Sequence, residues 1–236
     1  MDTQTRHALK GDKFAQATQS GVTWISGHRS GVMRIVVVVA VVVLVLAGAG
    51  IFVNMRASAA SAALGSALDV YSAPLLPPGA PPENGVYASS ADRSKAANQK
   101  FVAVADQYGW LAEGTKAHYF AGVTYADLGQ SGPAETELKK ASDSWDRNLS
   151  NLAKVALAGL YHQSGRDALA IDEYNAIIAK PSVTVSASVA QLNLADLYDA
   201  TGKRDMARAL WAKIKDADKQ GAAGEIATQK LNGPQQ

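Results

Sequence analysis

Nineteen consecutive residues, Ile35 to Val53, read IVVVVAVVVLVLAGAGIFV, and nothing charged stands between Arg34 and Arg56. At about 1.5 Å per residue, a helix of that length covers roughly 28 Å, close to the hydrocarbon thickness of a bilayer. Fourteen of the nineteen are Val, Ile, Leu or Phe. At about −0.3 to −0.6 kcal/mol each, they favour insertion by roughly 4–8 kcal/mol as an upper bound. Valine is a mediocre helix former in water. In lipid every backbone N–H and C=O must be satisfied within the segment, so a helix is enforced. The run predicts a transmembrane helix over 35–55, with a basic leader over 1–34. The rival is a cleaved signal peptide, since Ala57-Ser58-Ala59 resembles a small-residue cleavage site. The length of the run and of the leader favours an uncleaved anchor.

Charge fixes the expected orientation. Arg6, Lys10, Lys13, Arg29 and Arg34 precede the run against Asp2 and Asp12, a net +3; the remainder holds 18 basic and 19 acidic residues. The positive-inside rule places the N-terminus in the cytoplasm and residues 57–236 outside it. The near-neutral remainder offers no clustered basic face for nucleic acid. Trp24 and Ile25, with Val22 and Phe14, read either as a short interfacial helix or as scattered apolar residues in an unstructured leader. Ala47-Gly48-Ala49-Gly50 would let another membrane helix approach closely, though such patches are also ordinary in membrane helices. The chain has no cysteine, which excludes disulfides and thiolate chemistry.

Beyond residue 108 the sequence repeats. Tyr125, Tyr161 and Tyr198 are each followed four residues later by a glycine (Gly129, Gly165, Gly202). Nine residues after each Tyr stands an alanine (Ala134, Ala170, Ala207). Eight tyrosines and 20 glycines among 236 residues would give fewer than one such Tyr–Gly spacing by chance. The next columns hold Leu138, Tyr174 and Trp211, then Ala141, Ile177 and Ile214. This periodicity predicts an all-α fold of two antiparallel helices per repeat. A small residue three before the Tyr (Gly122, Ala158, Ala195) admits the partner helix. The glycine closes the first helix, and the alanine allows close approach in the second. Pro133 suits a helix's first turn, and Pro181 stops another.

Residues 109–220 thus form three repeats. An earlier degenerate unit occupies 56–108. Leu64, Gly65 and Leu68 hold its first-helix columns, and Ala97, Phe101 and Val104 its second. A proline-rich insertion, residues 72–87, separates them as a semi-rigid loop. Residues 221–231 fit a capping helix, and 221–236 close the chain.

These columns resemble the tetratricopeptide-repeat (TPR) family, whose period is about 34 residues. The periods here are 36 and 37, so the connectors are longer, and the family's terminal proline is displaced or absent. The resemblance implies a solenoid whose first helices line a concave face. The outward residues on that face are Lys116, Tyr119, Val123 and Asp127, then Val155, Gly159 and His162, then Leu192, Asp196 and Asp199. This mixed apolar and acidic groove suits a helix or an extended segment. It lacks the Lys/Asn/Arg pattern of TPR domains that clamp C-terminal carboxylates.

The leader, single span and exported repeat domain together are similar to the YfgM-type ancillary subunits of the SecYEG translocon. Thr201–Trp211, and the tail Gln229-Lys-Leu-Asn232, also resemble that family's last repeat. The proline-rich insertion departs from the pattern. The resemblance implies a bacterial inner-membrane protein whose periplasmic domain meets exported chains beside SecYEG and passes them to periplasmic chaperones. A scaffold for another cell-envelope assembly is the alternative.

Catalytic motifs are missing: no phosphate loop, His-Glu-x-x-His or nucleophile elbow occurs. His118 and His162 fall on separate repeats without a metal-ligand spacing. Asp196 and Asp199, three apart on one helix, read as a solvated face rather than an acid pair. The expectation is a binding protein with no catalytic residues, cofactor or metal.

Overall fold

The computed structural model describes residues 29–233, apart from 78, 80, 82 and 83. The leader before Arg29, with its Trp24 segment, and residues 234–236 lie outside them. The described residues form nine helices and no strand. They are α1 (Arg29–Tyr71), α2 (Ser90–Tyr108), α3 (Ala112–Asp127), α4 (Ser131–Ser142), α5 (Arg147–Gln163), α6 (Asp167–Ala179), α7 (Ala187–Ala200), α8 (Arg204–Ala217) and α9 (Ala222–Asn232). The chain divides into two compact units between Met55 and Arg56.

In the first unit, α1 begins six residues ahead of the apolar run. The Val, Leu, Ile and Phe side chains of Ile35–Val53 are 42–71% exposed. α1 is long and apolar enough to cross a membrane. Such a surface is unfavourable in water at about 25 cal/mol per Å² of apolar area.

In the second unit, the last part of α1 packs on α2. Ala60, Leu64 and Ala67 are buried with Ala97, Phe101, Val104, Ala105 and Tyr108. Tyr71, Phe101 and Phe120 cluster, with Phe101 and Phe120 stacked at 5.1 Å. Between α1 and α2 the proline-rich stretch closes at its base: Leu76 N–H donates to Tyr87 O at 2.8 Å, and Tyr87 N–H to Pro74 O at 3.1 Å. The loop is therefore anchored at both ends.

From α3 onward each helix packs mainly on its chain neighbours, with lesser contacts of α4's neighbours α3 and α5 and of α7 with α9. Direction alternates. Asn98 of α2 donates to Ala121 O (3.1 Å) and Thr124 Oγ1 (3.0 Å) of α3, and Tyr161 of α5 donates to Glu135 of α4 at 3.3 Å. Asn151 of α5 donates to Lys180 O, just past α6, at 3.0 Å.

The repeated columns acquire physical roles. Gly129, Gly165 and Gly202 have φ of 70°, 72° and 78°, the left-handed conformation that costs glycine least. After each, the next residue donates its N–H back to the column tyrosine: Gln130 to Tyr125 O (2.9 Å), Arg166 to Tyr161 O (2.8 Å) and Lys203 to Tyr198 O (2.8 Å). This satisfies carbonyls that a helix end leaves unpaired. Ala134, Ala170 and Ala207 are completely buried, and Leu138, Tyr174, Trp211, Ala141, Ile177 and Ile214 are buried beside them. Asp146 caps α5 by accepting from Asn148 N–H, and Ser186 caps α7 by accepting from Val189 N–H. α9 covers the last apolar face, with Ala227 buried against the cluster of Trp211 and Ile214.

Candidate binding surface

The expected groove residues lie on α3, α5 and α7, and burial sorts them into three groups. Lys116, Asp127, His162, Asp196 and Asp199 are exposed. Tyr119, Val123 and Val155 are half-buried and pack on the main core cluster. Leu192 stands apart. It is only 8% exposed and belongs to the core with Ala195, Ala207 and Trp211, so it supports the surface from beneath.

One cleft joins neighbouring repeats. Gly159 and His162 of α5, Tyr174 of α6, and Asn193, Asp196 and Ala200 of α7 surround about 280 Å³. It unites two of the expected positions, His162 and Asp196, across the gap between repeats. Gly159 leaves room there, because no atom lies within 4 Å of where its Cβ would stand. Asn193 and Tyr174 were not anticipated from sequence. Asn193 sits three residues before Asp196 on the same helix face, a spacing that could have flagged it.

Asp127, His162, Asp196 and Asp199 are already engaged within the chain. Lys230 of α9 contacts Asp196 at 2.9 Å, Arg204 faces Asp199 at 3.8 Å, and His162 meets Asp167 at 2.6 Å. Asp127 accepts from Ser94 at 3.5 Å. The carboxylates of Asp196 and Asp199 thus face different cations on different helices and do not form a convergent pair. A basic partner entering this face must compete with Lys230, and exposed pairs of this kind are worth only about 0–1 kcal/mol.

Other titratable groups brace the scaffold. His118 of α3 contacts Glu137 of α4 at 2.5 Å, and Lys140 contacts the same carboxylate at 2.8 Å. Burial opposes ionisation of Glu137, but the bonds from His118 and Lys140 outweigh it and hold the carboxyl below its ordinary range. Hydrogen bonds from Lys139 and Arg166 likewise lower Glu135. Burial pushes Glu173 up, and raises the Tyr119 and Tyr174 hydroxyls. Among the described residues, no three His, Asp or Glu side chains gather as metal ligands would. Compared with protein-family models, curated proteins and solved structures, the chain matches none.

Proposed function

We propose that this chain is a membrane-anchored TPR scaffold that binds proteins and performs no catalysis. In this reading α1 is the anchor, the leader is cytoplasmic, and the repeats face the periplasm of a bacterial inner membrane. Its role is that of an accessory beside the SecYEG translocon, where it meets exported chains and hands them to periplasmic chaperones. The observation that carries the scaffold reading is the repeated hairpin. In three successive units a left-handed glycine ends the first helix, a buried alanine lets the second approach, and a large buried residue fills the space between. That construction leaves first-helix side chains of α3, α5 and α7 available to a ligand. The α5–α7 cleft is one formed part of that face. Ala57-Ser58-Ala59 lies inside α1, which supports an uncleaved anchor, because a protease site there requires unwinding the helix. The leader's excess of basic residues supports the orientation, and a C-terminal reporter active only outside the cytoplasm tests it.

In-cell crosslinking tests the partner. A photoreactive residue replaces Tyr119 or His162, since Leu192 is too buried to report contacts. Adducts with translocon subunits or exported chains are expected. Adducts only with other envelope machinery would overturn the translocon role while leaving the scaffold, and turnover of a substrate by the purified chain would overturn the non-catalytic reading.

A further inference from the structure

Arg208 stands one residue past the buried column alanine of the third repeat, the place that Glu135 holds in the first. Glu135 is met there by the following repeat, through Arg166 at 2.7 Å and the Tyr161 hydroxyl at 3.3 Å. Arg208 is exposed, and among the described residues it forms no hydrogen bond or ion pair. The helix after α8 is α9, and it brings Gln229 and Lys230 to this position rather than a carboxylate. The column therefore has its counter-charge at Glu135 and lacks one at Arg208.

Arg204, Arg208 and Trp211, at i, i+4 and i+7 of α8, share one face of the helix. With Asp199 of α7 and Gln229 and Lys230 of α9 they line a recess of about 590 Å³. Three cations stand there against one carboxylate. Asp199 lies 3.8 Å from Arg204 Nε, beyond hydrogen-bond distance, so the guanidinium donors of Arg204 are unspent. Lys230 contacts Asp196 at 2.9 Å, and its ammonium sits 5.8 Å from the centre of the Trp211 ring. A basic ligand would have to displace Lys230 from Asp196, whereas an acidic one need not.

Trp211 gives a second, independent sign. It is only 5% exposed, and its indole N–H is buried with no acceptor among the described residues. Buried donors are ordinarily paired, because an unpaired one keeps its full desolvation penalty. Missing negative charge and a missing acceptor are answered by one group. A carboxylate can accept two parallel bonds from a guanidinium and still has lone pairs for a further donor.

We infer that this recess docks an acidic segment of a partner protein, with an Asp or Glu carboxylate held by Arg204 and Arg208 and accepting from the Trp211 indole. The inference rests on the protein-binding reading above and names the chemistry of the partner.

The test follows the indole proton. The full-length chain, labelled with nitrogen-15 in nonionic detergent, is titrated with a capped hexaglutamate peptide, and separately with capped hexaglutamine and with inorganic phosphate. Four tryptophans give at most four indole resonances. Trp24→Phe, Trp110→Phe and Trp145→Phe assign three of them and leave the packing of Trp211 untouched. The expected result is a saturable downfield shift of the Trp211 indole proton with hexaglutamate, weakened by salt. Arg208→Gln should reduce the affinity about tenfold, the loss of a charge-assisted bond. Arg208→Lys should fall between the two, since it keeps the charge without the fork. Arg208 is exposed, so neither variant disturbs the core. No shift at Trp211, a shift indifferent to Arg208→Gln, or an equal shift with hexaglutamine would overturn the inference. So would an equal shift with phosphate at the same concentration, which would make the recess a site for an adventitious ion only. If the crosslinks expected at Tyr119 and His162 still form, such a failure strikes this site alone; absence of any protein adduct there would instead overturn the scaffold reading, and this inference with it.

Discussion

Replacing Gly114 with alanine should destabilise the repeat unit, although alanine is the better helix former. A Cβ built on Gly114 would stand 1.9 Å from the Tyr108 carbonyl oxygen and 2.6 Å from Gly109 N. Real Cβ contacts stay beyond 3.0 Å, so a gap of about 1 Å must open. The obstacle is backbone, held where Leu111 N–H donates to Tyr108 O at 2.8 Å, and no rotamer change relieves it. Helix propensity returns at most about 1 kcal/mol. Overpacking against fixed atoms costs typically about 1–3 kcal/mol and occasionally more, and an immovable neighbour puts this site at the upper end. The net expectation is about 2 kcal/mol lost, which at 2–4 °C per kcal/mol lowers Tm by roughly 4–8 °C. Gly159→Ala is the internal control. It adds the same methyl group to α5 where nothing lies within 4 Å, and should raise Tm by roughly 2–4 °C. Both are read by far-UV circular dichroism melts of the detergent-solubilised chain. If Gly114→Ala melts at or above the parent temperature, the close α2–α3 turn is wrong and so is the reasoning from it.

Ala170→Trp or Ala207→Trp places a large ring at a completely buried column position and should cost roughly 1–3 kcal/mol or more; a melt like the parent's would show that the repeat register is misplaced. Glu137→Gln should weaken the fold most at neutral pH. Its carboxyl is held below the ordinary 4.5, so its stabilisation is present above that value and lost as pH falls through the lower folded-state pKa. The gap in Tm between variant and parent should close below about pH 4.5, and a gap independent of pH would refute the account.

Much of the fold was legible before any coordinates, and the legible parts share a property: each is a signal confined to one segment or one hairpin. The apolar run needs no partner to be read. The Tyr, Gly and Ala columns repeat because each helix pair solves the same local problem of ending one helix and admitting the next. Gly114 is an exception that local reading passed over. It sits six residues after Tyr108, and Gly224 sits six after Asp218 against the equivalent carbonyl, but this pairing occurs only at the first and last turns of the array.

The surface was less legible, because it depends on how hairpins rotate against one another. Leu192 and Val155 occupy the same column, six residues before their tyrosines. The first is buried with Ala195, Ala207 and Trp211, and the second is half-buried against the main core cluster. Asp196 appeared as a free acidic group, yet α9 brings Lys230 to it, a contact 34 residues away in sequence. Trp145 and Val183 are fully exposed, in connectors whose composition does not separate a buried hydrophobe from an exposed one. The sequence by itself determined a membrane-length apolar helix, an all-helical repeat and the side chains at the centre of each hairpin, since these follow from local periodicity and backbone chemistry. Only the tertiary structure decided which groove residues reach solvent, which charges are already paired and which connector side chains lie exposed. Those outcomes are set by packing between units, where no single residue carries the instruction.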